Sequence, residues 1–92
     1  MVQHLLPNRK GDSELRRMKS ALARSLRKRR QAHHLTQAAL ARMLGTSQSR
    51  LARMETADDT VTLDLLARSL LATGATRKDI ARAIGQGGGA EG

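Results

Sequence analysis

LTQAALARMLGTSQSRLARME, running from Leu35 to Glu55, holds two short helical patterns back to back. Thr36 is a good N-cap for a helix over Gln37–Leu44, with Leu40, Ala41 and Leu44 on one stripe. Gly45 follows the last apolar residue, where a helix stops in a left-handed conformation that glycine adopts cheaply. Thr46 and Ser47 then open a second helix from Gln48 to about Thr56, with Leu51 and Met54 inward. A tight glycine-containing turn between two short helices defines a helix-turn-helix. Gln48, Ser49, Arg50 and Arg53 fall on the outward face of the second helix, and such side chains match the hydrogen-bonding edges of base pairs.

Upstream, Leu15, Met18, Leu22 and Leu26 recur at helical spacing. They predict a first helix from a cap at Ser13 to His33, longer than the motif needs. Downstream, Thr62 caps a fourth helix with Leu63, Leu66, Ala67 and Leu70 on one face, ended by Gly74. Thr76 and Asp79 form a capping-box pattern opening a fifth helix, with Ile80, Ala81 and Ile84 inward, stopped by Gly85. The expected organisation is therefore all-α and five-helical: an arm over 1–12, one domain over 13–84 and a glycine-rich flexible tail over 85–92.

Composition narrows the chemistry. The 92 residues include no cysteine and no aromatic side chain. That excludes disulfide scaffolds, thiolate zinc sites and base-stacking platforms. Residues 1–54 carry thirteen Lys/Arg against two Asp/Glu, whereas 55–92 carry four against six. A chain so divided is built to meet a polyanion on one side. His33 and His34 are adjacent and diverge on a helix, so no metal site is expected. No nucleophile–base arrangement points to an enzyme, and no cofactor is expected. No apolar run reaches the length of a membrane span and no secretory signal is evident, which predicts a cytoplasmic, nucleoid-associated protein.

The motif resembles the helix-turn-helix of the lambda repressor/Cro family, also called the XRE family. That family's pattern is L-T-Q-x-x-L-A-x-x-x-G-x-S-x-S-x-[IVL]-x-x-[ILM]-E. Leu35, Thr36, Gln37, Leu40, Ala41, Gly45, Ser47, Ser49, Leu51, Met54 and Glu55 fill its fixed places. The likeness extends over about residues 20–84. It implies a lambda repressor-like domain, with an extended first helix, that binds double-stranded DNA as a transcriptional regulator and acts as a homodimer. It implies base contacts from Gln48, Ser49 and Arg53, and contacts of Arg50 and Ser47 with phosphate or the groove edge. Phosphate contacts would come from Gln37, which also braces Gln48, with Thr36, Thr46 and Ser47 at the two helix starts. Arg30 would pair with Glu55 as a structural tie. Beside such a motif, Arg24, Arg27 and Lys28 of the basic run are expected at phosphates. The family's glycine shortly after the glutamate is missing from ETADDT, so this acidic loop is expected to be shaped differently and to point away from DNA. Leu65, Leu71 and Ala83 are expected in a symmetric interface.

The short length and the ending D-I-A-R-A-I also resemble HigA-type antitoxins, which bind a toxin protein and repress their own operon. A third reading is a protein-interaction module that no longer binds DNA.

Overall fold

The computed structural model describes residues 9–89, and side-chain surroundings over 11–86. Most of the expected arm, and residues 90–92 of the expected tail, lie outside the described residues. Five helices occur among the described residues, and no strand: α1 (Arg9–Ala32), α2 (Gln37–Leu44), α3 (Gln48–Glu55), α4 (Leu63–Ala72) and α5 (Arg77–Gly89). No described helix is long and apolar enough to cross a membrane.

Each helix after the first starts on a hydroxyl. Thr36, Ser47, Thr62 and Thr76 accept hydrogen bonds from the backbone N–H three residues on. At α5 the box closes in both directions, because Asp79 Oδ2 accepts from the Thr76 N–H at 2.8 Å. These hydrogen bonds hold the Asp79 carboxyl below the usual carboxylate range, with Arg29 and Arg82 adding a smaller charge effect.

The core is aliphatic. Leu22, Ala23 and Leu26 of α1 meet Leu40 and Ala41 of α2, Leu51 and Met54 of α3, and Leu66 and Leu70 of α4. Val61 and Ala75, each one residue ahead of a capping threonine, join them. α1 packs against α3, α4 and α5 and is the spine on which the helix-turn-helix is mounted.

Four expectations need correction. Ala81 is exposed on α5, and Ala83 packs on the core beside Ile80 and Ile84 in its place. α1 begins at Arg9, so Ser13 lies inside the helix instead of capping it. Asp12 sits in the first turn, where a carboxylate favours the positive end of the helix dipole. α5 continues through Gly85 to Gly89. Gly74 stops α4 because the next residue, Ala75, turns back into the core; after Gly85 no apolar residue comes next to draw the chain out of the helix. Finally, Leu65 and Ala83 pack on the core, and of the expected interface residues only Leu71 stays exposed. Leu65 meets the core because Val61, ahead of α4, is itself buried and draws that end of the helix inward.

Candidate nucleic-acid interface

The geometry of the site rests on how α2 hands over to α3. Gly45 takes φ 72°, ψ 33°. In that conformation the Thr46 N–H reaches back to the Ala41 carbonyl at 2.9 Å and the Gly45 N–H to Arg42 at 3.2 Å. The chain reverses within three residues, Gly45 to Ser47, and Ser47 caps the next helix at once. Of the expected pair of caps, Ser47 is the one that accepts the hydrogen bond. Thr46 is half-buried in the turn, with its N–H committed to α2.

α3 is then fixed by one face. Leu51 and Met54 are fully buried, and Glu55 is buried at the helix end. Its side chain is only 2 % exposed. A carboxylate so placed must be fully partnered. Arg30 supplies a two-pronged contact, Nε to Oε2 at 2.6 Å and Nη2 to Oε1 at 3.0 Å. Its remaining Nη1 donates to the Leu35 carbonyl at 2.9 Å. Gln37 Nε2 donates to Glu55 Oε1 at 3.1 Å. These contacts hold the guanidinium more firmly protonated than usual, chiefly through the hydrogen bond to Glu55. One carboxylate thus joins the end of α1, the start of α2 and the end of α3.

Gln37 was expected to brace Gln48, and the structure instead gives its amide to Glu55. The reason is reach: Glu55 is buried beside the start of α2 and has an acceptor to fill, whereas Gln48 is exposed.

With that face secured, Gln48, Ser49, Arg50 and Arg53 are all exposed on the other side of α3. No ion pair ties Arg50 or Arg53 to another described residue. Thr36 uses its oxygen to accept from the backbone and keeps its O–H to donate outward, whereas the Ser47 oxygen accepts from the Arg50 N–H and its hydroxyl also lies 3.4 Å from that of Ser49. Arg27 lines a surface cleft with Arg24, Ser20, Thr56 and Ala57, next to the end of α3. Lys28 lies on a different side of α1, in a cleft with Asp79, Arg82 and Gln86 of α5. The structure therefore gathers Arg27 with the α3 side and separates Lys28 from it.

The loop after α3 solves its missing glycine with Ala57, which takes φ 55°. Asp58 then folds inward on Thr60, whose hydroxyl and N–H both donate to Oδ2. The hydroxyl contact first and the backbone contact second hold the Asp58 carboxyl below its ordinary range, helped by the charges of Arg53 and Lys19. No group of three or more His, Cys, Asp or Glu side chains that would hold a metal occurs among the described residues.

A glycine-turned pair of short helices, with the second anchored inside and polar outside, defines a helix-turn-helix DNA-binding domain. Residues 26–76 match the helix-turn-helix family of the lambda repressor/Cro type, and the chain belongs to that family. No curated protein and no solved structure gave a match.

Proposed function

We propose that the protein is a sequence-specific regulator that lays α3 in the major groove of double-stranded DNA and represses by occupying a promoter. The observation carrying this reading is the two-sided construction of α3. Its inner face is immobilised by Leu51, Met54 and the Arg30–Glu55–Gln37 network, while Gln48, Ser49, Arg50 and Arg53 project from a rigid support. Arginine pairs bidentately with guanine and glutamine with adenine, and such pairing discriminates only when the side chains are held in position. Gln37, Thr36, Thr46 and Ser47 sit at the α2 and α3 starts, where N–H groups and hydroxyls suit phosphate oxygens.

Gel shift on the chain's own promoter, against DNA selected from a random pool, tests the proposal. A sequence-preferring complex is expected. Arg53→Ala should weaken the selected site by about 1–3 kcal/mol and leave unrelated DNA nearly unaffected. Equal loss on both would make Arg53 a phosphate contact. No preference at any reachable concentration would sink the operator-binding reading.

An antitoxin role is the second reading. Its support is the exposed Met43, beside a cleft lined by His33, Leu35, Leu40 and Ala72. Such an apolar opening suits a protein partner. Co-expression with the neighbouring reading frame, followed by Met43→Asp, would test it: a stable complex lost in the variant supports the antitoxin.

A further inference from the structure

We infer that the N-terminal half of α1 is a self-association arm that pairs antiparallel with the same segment of a second copy. α1 has 24 residues, roughly 36 Å of helix, in a molecule whose longest dimension is 48 Å. Burial on it begins only at Ala21: none of residues 11–20 is buried. Yet this half keeps the apolar stripe of the core half. Leu15 is 44 % exposed, and neither it nor Met18 is among the hydrophobic residues packed on the core. Met18 is half-buried but Leu15 is exposed, and helical turns with so little packed face are marginal in water, so a stripe held in register for two further turns calls for a cover.

The occupant is chosen by charge and spacing. Asp12 and Lys19 stand one heptad apart on the same flank of the Leu15/Met18 stripe. In an antiparallel pair, residues of the same flank face each other. A register stacking Leu15 on Met18 of the second copy brings each Asp12 within two residues, roughly 3 Å along the axis, of a Lys19 on the facing flank, twice, about one two-fold axis. Neither residue forms an ion pair with another described residue.

The spacing fits as well. Contacts of α1 with the end of α3 centre between Ala23 and Arg30, about ten residues from the axis. At 1.5 Å per residue that is roughly 15 Å, so the two copies carry their α3 helices about 30 Å apart along α1. Half-sites one DNA turn apart need about 34–36 Å. Only this spacing argument rests on the DNA-binding reading; the pairing itself does not. The covered face is small, so the free protein should associate weakly.

Sedimentation of the whole chain without DNA tests the pairing. A concentration-dependent monomer–dimer equilibrium is expected. L15D should be monomeric, with the helix content and thermal midpoint that the original chain has at dilutions where it too is monomeric, since Leu15 is not packed on the core. D12K and K19E should each associate less than the original chain, and an equimolar mixture should recover dimer, because every flank pair is then of opposite sign. D12K weighs more than K19E, as Lys19 also acts on Asp58 of its own chain. A chain that stays monomeric throughout its soluble range overturns the inference. So does L15D with undiminished dimer, a mixture without recovery, or a monomer whose thermal midpoint falls in L15D. Failure of promoter binding would leave these results standing.

Discussion

Glu55 ends α3, yet it decides where α3 can sit. Its carboxylate is buried and takes three hydrogen bonds, two from Arg30 and one from Gln37. Removing one partner of a buried pair leaves the other charge stranded, which typically costs about 3–5 kcal/mol, whereas removing both for apolar groups is often nearly neutral. Arg30→Met should therefore destabilise by about 3 kcal/mol or more, and the Arg30→Met/Glu55→Met double variant should recover most of it in urea unfolding. A double variant no better than the single one would mean that the tie itself, and not the stranded carboxylate, carries the energy. The two ends of this tie were legible because the family resemblance implies a pairing between these two positions, although only Glu55 lies within the motif itself. The role of Gln37 was not, since its partner depends on how deeply Glu55 is buried, and no local spacing encodes that.

At the scale of elements, four successive helices end by one device. His34, Gly45, Ala57 and Gly74 all have positive φ. After each, the next N–H bonds the carbonyl five residues back: Leu35 to Arg30, Thr46 to Ala41, Asp58 to Arg53 and Ala75 to Leu70. Leu35 and Ala75 also precede the next cap, so one apolar residue closes a helix and opens another. The stops at Gly45 and Gly74 were readable; His34 and Ala57 were not, because nothing local marks a non-glycine residue forced left-handed by the packing of its successor. That strain is worth about 1–2 kcal/mol, offset by about 0.4–1 kcal/mol for the freer unfolded glycine. His34 is exposed, so His34→Gly should stabilise by roughly 0.5–1 kcal/mol in thermal unfolding. Ala57 packs on the core, so Ala57→Gly also loses a methyl contact worth on the order of 0.5 kcal/mol, and should come out near neutral. A larger gain at Ala57 than at His34 would contradict this ordering.

The box at the start of α5 adds a pH signature. Asp79 has its folded-state pKa lowered below the ordinary 3.8 by the Thr76 hydrogen bonds. Its contribution is thus complete above about pH 4 and fades as pH falls through the lower folded value. The stability advantage of the original chain over Asp79→Asn should be steady near neutrality and shrink below about pH 4. An advantage independent of pH would show that the cap needs only the shape of the side chain.

For the molecule as a whole, the division of charge along the chain becomes a difference between acids that are mostly matched and cations that often are not. Four of the six acids of the second half are taken up near at hand: Glu55 by Arg30, Asp64 by Arg68, Asp79 by Arg29 and Arg82, and Asp58 by Thr60. Arg27, Lys28, Arg50 and Arg53 have no such ion-pair partner among the described residues. Composition could reveal this basic excess but could not say which cations share a face, because neighbours on a helix point about 100° apart. Arg27 and Lys28 show the consequence. Arg27 stands beside Thr56 and Ala57 at the end of α3, while Lys28 faces the α5 cleft with Arg82, away from the outward face of α3. Each phosphate contact releases counterions and contributes about 0.9 to the slope of log K against log salt. Arg27→Gln should therefore lower that slope by roughly one unit on the selected site, and Lys28→Gln should leave it unchanged. Titrations at several salt concentrations read both. Equal losses would mean that DNA wraps further round α1 than α3 alone can bring it, and an unchanged slope for Arg27→Gln would place the backbone track on α2 and α3 only.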